Sequence, residues 1–168
     1  EDYPAGAGPD PWHLGHLGFR TDWSPDAADA FTLQGDAYDG RIGEVSPAVN
    51  IIGLPGPRNP LVVGVGGGNV LAHWRHTMSD DSDYEVRFYY DYTHRNDPTF
   101  IDDLGTLDVD FLEHLPLGAG QKLTWGLTGR TMDDINHGKG LFALNPPDAR
   151  YNLASGFVQD EVSLPHAV

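Results

Sequence analysis

The chain has 168 residues, of which 25 are acidic and 10 are basic, so its formal net charge is −15. This charge argues against nucleic acid or an anionic membrane surface as a partner, because both attract Lys and Arg. The absence of cysteine excludes a disulfide framework and a thiolate metal site. No run of 18 apolar residues occurs, which excludes a transmembrane helix.

Apolar and polar residues alternate along most of the chain, in blocks separated by turn signals. In the stretch YEVRFYYDY (84–92), the even positions are apolar or aromatic and the odd positions are mostly charged. Side chains on a strand alternate between two faces, so this pattern predicts one apolar and one charged face. Similar patterns predict seven strands, at about 12–23, 30–40, 62–78, 84–92, 107–111, 122–130 and 153–164. The last of these alternates less cleanly, which leaves room for a bulge.

The connections between the blocks alternate in length. Short turns follow the first, third and fifth blocks, whereas longer connections follow the second, fourth and sixth, at 42–60, 95–103 and 133–151. Each block has roughly the 9 to 11 residues that cross a bilayer as a tilted strand. Tight turns at one end and long loops at the other are typical of outer-membrane barrels. We therefore predict an all-β, antiparallel, up-and-down meander of about seven strands, forming a barrel or a barrel-like sheet.

Several stretches in succession resemble consecutive barrel strands of TonB-dependent outer-membrane receptors. The stretches are GFRTDW (18–23), LQGDAYDG (33–40), GGGNVLAHWRHTMSDDSDYEVRFYYDYTHR (66–95), LDVDFLEHLPLGAGQKLTWGLTGR (107–130) and SGFVQDEVSL (155–164). The resemblance implies a transporter, not an enzyme, that takes up scarce nutrients such as metal-siderophore complexes across the bacterial outer membrane. It implies a small nutrient ligand as the partner and no cofactor.

The resemblance also implies that residues 1–168 are a single segment from the middle of a longer receptor barrel. Receptors of the family that the chain resembles have a 22-strand barrel, an N-terminal plug and a TonB-contacting box. The sequence contains no plug-like segment and no such box. An odd number of strands cannot close as a simple antiparallel barrel, because the first and last strands would meet in parallel. The expected partners of the apolar face are lipid or further copies of the chain.

The alternative class is a stand-alone, extracellular β-sheet protein that self-assembles into an oligomer or a fibre. An open sheet has two unpaired edges and a bare apolar face, and both recruit partners. A small soluble β domain, with the charged face in water and the apolar face against a core, is the third possibility. The chain, if complete, is expected not to be a monomer in solution.

The candidate site residues are charged side chains on the face opposite the apolar one, which would line the lumen of a barrel. They are Arg20, Asp36, Arg75, Arg87, Asp91, Asp108 and Arg130, with Asp22, Glu85, Asp110 and Lys122 in the same class. Both signs of charge are interleaved, so mutual pairing and contact with a plug are the simplest roles, and a ligand role is possible for a few.

We predict no metal site and no catalytic residue. The histidine pairs His13/His16 and His73/His76 have a spacing that places partners on opposite faces of a strand, so neither pair chelates alone. The paired aspartates at 80–81, 102–103 and 133–134 lack the spacing of a calcium loop and fit solvated turns. The run GVGGG (64–68) lacks the following residues of a phosphate loop and predicts a strand that another backbone approaches closely.

Overall fold

The computed structural model describes residues 11–46, 59–118, 120–139 and 144–163, and within them the chain is entirely β-strand and turn. The strands are β1 (Trp12–Trp23), β2 (Asp29–Ser46), β3 (Asn59–Ser79), β4 (Ser82–Asn96), β5 (Phe100–Gly118), β6 (Gln121–Gly138) and β7 (Asp148–Val162). No helix in these residues is long and apolar enough to cross a membrane.

The seven strands form one antiparallel sheet in the order β1-β2-β3-β4-β5-β6-β7. Each strand therefore pairs with its neighbours in sequence, which confirms the predicted all-β, up-and-down meander. The sheet is open: β1 pairs only with β2 and β7 only with β6 in the described residues, so it is a barrel-like sheet and not a closed barrel.

Strand β1 has the predicted bounds, and the other six strands are longer than the predicted blocks. The seven strands contain 12 to 21 residues, against the 9 to 11 expected. The extra length comes from segments that were predicted to be loops. The connection between β4 and β5 is reduced to residues 97–99, and β6 continues to Gly138. The polar residues at these strand ends predicted loops. They nevertheless form strands, because the hydrogen bonds between strands are made by the backbone and not by the side chains.

The described part of the last strand, residues 148–162, contains no bulge. The β6–β7 register runs without a shift from Gln121↔Val162 to Ile135↔Asp148. Register shifts occur instead next to the turns, between Thr77 and Ser79 and between Pro116 and Gly118. In the second of these turns Gly118 and Gly120 have φ values of 138° and 81°, in a region that residues other than glycine rarely adopt.

The sheet is a single layer and has almost no core. Among the described residues, Val63 is the only buried hydrophobic side chain, with 0% of its surface exposed. Large apolar side chains are instead exposed, for example Leu17 at 77% and Val158 at 73%. Domains normally bury such side chains between two layers, whereas here they lie exposed on one side of a single sheet.

Large side chains lie over glycines on neighbouring strands. Phe19 covers its cross-strand partner Gly35, and Tyr38 in the same way covers Gly67. A Cβ atom on Gly67 would come within 2.9 Å of the Tyr38 hydroxyl oxygen. The glycine-rich stretch of β3 thus serves close approach within the sheet, as predicted, and it continues as a strand where a phosphate loop would lead into a helix.

Candidate functional site

The pairing register divides the side chains into two faces of opposite character. Residues paired across antiparallel strands point to the same side of a sheet, so the register assigns every strand residue to a face. On β4, Val86 pairs with Trp74 and Phe111, whereas its neighbour Arg87 pairs with His73 and Asp110. We call the side of Val86 the band face and the side of Arg87 the polar face.

An apolar band without any charged side chain crosses all seven strands on the band face. It contains on each strand the following residues: 17, 19, 21 and 23 of β1; 31, 33, 35 and 37 of β2; 68, 70, 72 and 74 of β3; 84, 86, 88, 90 and 92 of β4; 105, 107, 109 and 111 of β5; 125, 127, 129 and 131 of β6; 152, 154, 156 and 158 of β7. Along β4 the band extends about 27 Å at roughly 3.4 Å per residue. Tilting of the strands by about 40° would reduce this to roughly 21 Å, close to the height of a barrel's lipid-facing zone.

A continuous row of aromatic rings in mutual contact forms one margin of the band, at the end of the sheet with the short turns. Each of the strands β1 to β6 contributes one ring, and neighbouring centroids are 5.0 to 6.2 Å apart. The row consists of Trp23, Phe31, Trp74, Tyr84, Phe111 and Trp125. Ring pairs at such separations attract each other in offset and edge-to-face arrangements, so the row ties the strands together at one level.

Carboxylates lie directly beyond the aromatic row and accept hydrogen bonds from its indoles. The Trp74 Nε1–H donates to Asp29 at 2.7 Å, and the Trp125 Nε1–H donates to Glu113 at 2.8 Å. His76 also contacts Asp29, through Nδ1 at 2.8 Å. The tryptophans therefore have an apolar body in the band and a polar atom at its edge. We call this line of polar groups the turn-end border.

A second line of polar groups, the loop-end border, closes the band on the opposite side. Asp103 accepts a hydrogen bond from the Tyr92 hydroxyl and lies 2.7 Å from Nδ1 of His94. Further along the same level, Arg150 of β7 forms an ion pair with Asp133 of β6. The apolar surface is thus bordered at both ends by acidic and basic side chains, and in the described strands no Asp, Glu, Lys, Arg or His lies between the two borders.

The polar face carries charges that pair with one another. Arg130 Nε donates to Asp108 at 2.7 Å, although Asp108 is only 6% exposed. Arg75 pairs with Asp83, and it lies 3.8 Å from Glu85. Burial alone would raise the pKa of Asp83, but hydrogen bonds from Arg75 and His114 lower this pKa below its ordinary value. Arg75, Asp83, Asp108 and Arg130 on this face can stay ionised because each has a partner of opposite charge.

All seven predicted candidates lie on the polar face. Arg20 bonds to Asp22 and Gln34 at 2.9 Å, and Asp36 accepts a hydrogen bond from Asn69 at 2.8 Å. Tyr89 donates to Asp91 at 3.2 Å. The face assignment of the remaining four follows from the same register: Arg75, Arg87, Asp108 and Arg130.

These candidates do not converge on one pocket. Arg20 lies on the edge strand β1 and Arg130 on β6, so several strands separate them. Arg87, between His73 and Asp110, makes no ion pair with another described residue. The arrangement of the seven candidates is a charged wall that extends across several strands.

The sequence analysis did not single out the turn-end border. Asp29 and Glu113 interrupt the apolar alternation of their strands, and only the register shows that they are next to Trp74 and Trp125. A signal was nevertheless present in the sequence, because a tryptophan or another aromatic residue occurs near the turn-side end of six blocks.

The histidine pairs behave as the spacing predicts. His13 lies on the band face and His16 on the polar face, and His76 and His73 are separated in the same way. The described residues contain no group of three or more His, Cys, Asp or Glu side chains that could hold a metal ion.

The paired aspartates lie only in part where the sequence placed them. Residues 80 and 81 form the two-residue turn between β3 and β4, as predicted. The other two pairs lie within strands β5 and β6, so the prediction that they occupy turns is wrong. The two members of each pair are adjacent in a strand and therefore point to opposite faces, for example Asp103 to the band face and Asp102 to the polar face. Burial raises the pKa of Asp102, and the nearby carboxylate of Asp134 raises it further.

Comparison with protein-family models, with curated proteins and with solved structures found no match to this chain.

Proposed function

We propose that this chain forms part of the wall of an outer-membrane β-barrel. In this arrangement the apolar band faces lipid and the polar face lines an aqueous lumen. The observation that carries the proposal is the band itself, which is free of charge on seven consecutive strands and is bounded by ionisable groups at both margins. In water this surface would cost about 25 cal/mol for each Å² of exposed apolar area.

The aromatic row supports this orientation. Indole and phenol rings prefer the boundary between hydrocarbon and water, because one part of the ring is apolar and another forms hydrogen bonds. Trp74 and Trp125 have this geometry, with their N–H groups directed to carboxylates outside the band. The row would mark the membrane interface at the end with the short turns, and the loop-end border would mark the other interface.

The polar face supports an aqueous lumen. Paired charges such as Arg130 and Asp108 are costly in hydrocarbon but are stable where water covers one side. The interleaving of Arg and Asp on neighbouring strands gives a hydrophilic wall without a large excess of cations. A barrel interior of this kind holds water or a folded protein segment.

The transport role rests on the resemblance of the strand motifs to TonB-dependent receptors. We propose uptake of a scarce nutrient, such as a metal-siderophore complex, as the activity to which this wall contributes. The charged residues of the polar face, Arg87 among them, would contact the cargo or an internal segment. Deletion of the encoding gene is expected to slow the uptake of at least one radiolabelled ferric chelate, and the wild-type gene should restore it. Unchanged uptake of a panel of chelates would contradict this role.

Lipid contact can be measured by tryptophan quenching. Two variants of the full chain would each keep one tryptophan, Trp74 in the aromatic row or Trp12 on the polar face, with phenylalanine at the other tryptophan positions. After refolding into vesicles that contain brominated lipids, Trp74 should be quenched most strongly by bromines close to the headgroups. Trp12 should be quenched little, because it lies on the opposite face.

The two variants also provide the control for this experiment. Equal quenching of Trp12 and Trp74 would contradict the assignment of faces. Failure of both variants to associate with vesicles, while the strand content measured by circular dichroism is retained, would contradict lipid contact altogether.

The second candidate function is self-assembly outside a membrane. It is favoured by one observation: within the described part of the chain, β1 and β7 each pair with a single neighbouring strand. Copies that stack through their apolar bands would bury the same apolar surface that lipid would cover. Copies that join at their edges would pair the backbone groups of β1 and β7. Light scattering in lipid-free buffer across a salt series distinguishes this function, because screening of the charge of −15 should promote assembly.

A further inference from the structure

The turn-end border includes a continuous row of side chains across five strands of the sheet. Asp29, His76, Tyr84, Glu113 and Trp125 stand opposite one another in the neighbouring strands β2 to β6. Residues paired in this way point to the same face, so the five side chains share one level of the band face. Two carboxylates are thus fixed beside the rings that mark one margin of the apolar band.

Both carboxylates are oriented by neighbouring rings and keep the capacity to accept further hydrogen bonds. Oδ1 of Asp29 lies 2.7 Å from Nε1 of Trp74 and 2.8 Å from Nδ1 of His76. Oε2 of Glu113 lies 2.8 Å from Nε1 of Trp125. An ionised carboxylate has two oxygens with about four acceptor sites, so these contacts use only part of them. Both side chains are partly exposed, so a ligand that donates hydrogen bonds can reach them from the side of the band.

The two ends of the band face differ in their basic residues. In the described strands this face carries two arginines, Arg41 and Arg150, and no lysine, and both arginines lie at the loop end. Arg150 forms an ion pair with Asp133 there. The row at the turn end contains two carboxylates and, as its only base, one histidine. Anionic lipid surfaces attract Lys and Arg, so the turn end offers nothing that would hold an anionic headgroup.

We propose that the turn-end border binds lipid headgroups with a primary ammonium group, as in phosphatidylethanolamine, through the carboxylates of Asp29 and Glu113. An ammonium group has three N–H donors and forms charge-assisted hydrogen bonds with carboxylates. The acyl chains of the same lipid would lie against the apolar band, and the aromatic row would stand at the depth of the headgroup. The inference rests on the proposed contact of the band with lipid and adds the headgroup chemistry at one of its two margins.

Two other common headgroups serve as chemical controls. The trimethylammonium group of phosphatidylcholine has the same charge as an ammonium group but no N–H to donate. The headgroup of phosphatidylglycerol has hydroxyl groups and no cation. The order of preference at the turn end should therefore be ethanolamine, then choline, then glycerol.

Quenching by a minor brominated lipid measures which headgroup lies next to the border. A variant of the full chain keeps Trp125 as its single tryptophan, with phenylalanine at positions 12, 23 and 74. It is inserted into phosphatidylcholine vesicles, and lipids brominated close to the headgroup are added at increasing mole fractions. Brominated phosphatidylethanolamine should reach half-maximal quenching at a mole fraction about twofold lower than brominated phosphatidylcholine, the size expected for one exposed ion pair. EDTA is present throughout, because a divalent cation could bridge a carboxylate to a lipid phosphate.

A matched pair of substitutions locates this preference. Glu113→Gln keeps an oxygen that accepts the Trp125 N–H but removes the charge, so the two zwitterionic lipids should then quench equally. Glu161→Gln makes the same change on the polar face of β7, where Glu161 lies opposite Lys122, and should leave the preference unchanged. Asp29→Asn with Trp74 as the single tryptophan repeats the measurement on the other side of the row. Circular dichroism verifies that each variant keeps its strand content.

The outcomes separate this inference from the proposed function. Strong quenching that does not depend on the headgroup would confirm contact with lipid and overturn the ammonium site alone. A preference for ethanolamine that survives both Glu113→Gln and Asp29→Asn would also overturn it, because the carboxylates would then not be its source. If none of the brominated lipids quenches Trp125 in the folded chain, the band does not face lipid and both proposals fail.

Discussion

Val86 and Arg87 are adjacent in β4 and lie on opposite faces of the sheet, Val86 between Trp74 and Phe111 and Arg87 between His73 and Asp110. One peptide bond thus separates the apolar band from the charged wall. Because the side chains alternate strictly, a shift of β4 by one residue would move the charged side chains of this strand into the band. The fold is therefore specified strongly at this strand, and the functional proposals depend on it.

An arginine in the middle of the band should be costly if the band faces lipid. Val109 lies near the centre of the band between Phe88 and Gly129, and Val109→Arg is expected to destabilise the membrane-inserted state by about 2–4 kcal/mol. Val86→Arg should cost less, because Val86 is next to the aromatic row and an arginine there can reach the interface. Denaturant titration in vesicles measures both effects.

Thr106→Arg is the matched control for this prediction. Thr106 lies on the same strand, three residues from Val109, but on the polar face and opposite Asp91. The substitution should change the free energy of unfolding by about 0.5 kcal/mol or less, as is usual at surface positions. Equal costs for the arginines at positions 106 and 109 would contradict the distinction between the two faces.

Glycine at position 35 is predicted to be required, and glycine at position 129 is not. A Cβ atom on Gly35 would overlap the backbone oxygen of Asn69 and come within 3.1 Å of the Phe19 ring, whereas a Cβ on Gly129 meets nothing within 4 Å. Gly35→Ala should therefore lower the free energy of unfolding by about 1–3 kcal/mol, the range for overpacking. Gly129→Ala should be neutral or slightly stabilising. Thermal denaturation of the two variants in the same detergent decides the comparison, and similar melting temperatures would refute it.

The ion pair between Arg130 and Asp108 should matter more than the one between Arg20 and Asp22. Asp108 is almost fully buried, and loss of Arg130 would leave its carboxylate without a compensating cation. Both members of the Arg20–Asp22 pair are more than half exposed, so water compensates. We expect Arg130→Met to lower the denaturant midpoint clearly and Arg20→Met to leave it nearly unchanged. The reverse order would show that Asp108 is solvated in the assembled protein.

Two aspartates near the loop end should respond to pH in opposite directions. The pKa of Asp102 is raised from its ordinary 3.8, first by burial and then by Asp134, so ionisation of Asp102 opposes folding. This penalty is absent well below 3.8 and grows as pH rises through the raised pKa. Asp102→Asn should therefore be increasingly more stable than the wild type as pH increases.

Asp97→Asn is the counterpart of this prediction. Hydrogen bonds from the hydroxyl and the amide of Thr99 lower the pKa of Asp97 below 3.8, with a further contribution from Arg95. Its stabilising effect is present above 3.8 and is lost as pH falls through the lowered pKa. Asp97→Asn should therefore be less stable than the wild type near neutral pH, and the difference should vanish in acid. Parallel denaturation curves between about pH 3 and pH 7 test both variants.

The sequence alone determined the strand count, the antiparallel meander and the division of side chains between two faces. These features follow from local rules: alternation with a period of two assigns faces, and short turns force neighbouring blocks to pair. The polar-face residues Arg20, Asp36, Arg75, Arg87, Asp91, Asp108 and Arg130 were identified in this way, since parity within a strand is independent of its partners.

The tertiary structure decided everything that depends on register between strands. Whether Trp74 meets Asp29, Trp125 meets Glu113, or Arg130 meets Asp108 is set by which residues stand opposite, and one sequence pattern is compatible with several even-numbered shifts. The strand ends could also not be predicted from the sequence. Residues 100–106 and 131–138 do not show a regular apolar alternation, but they join the sheet through hydrogen bonds of their backbone groups.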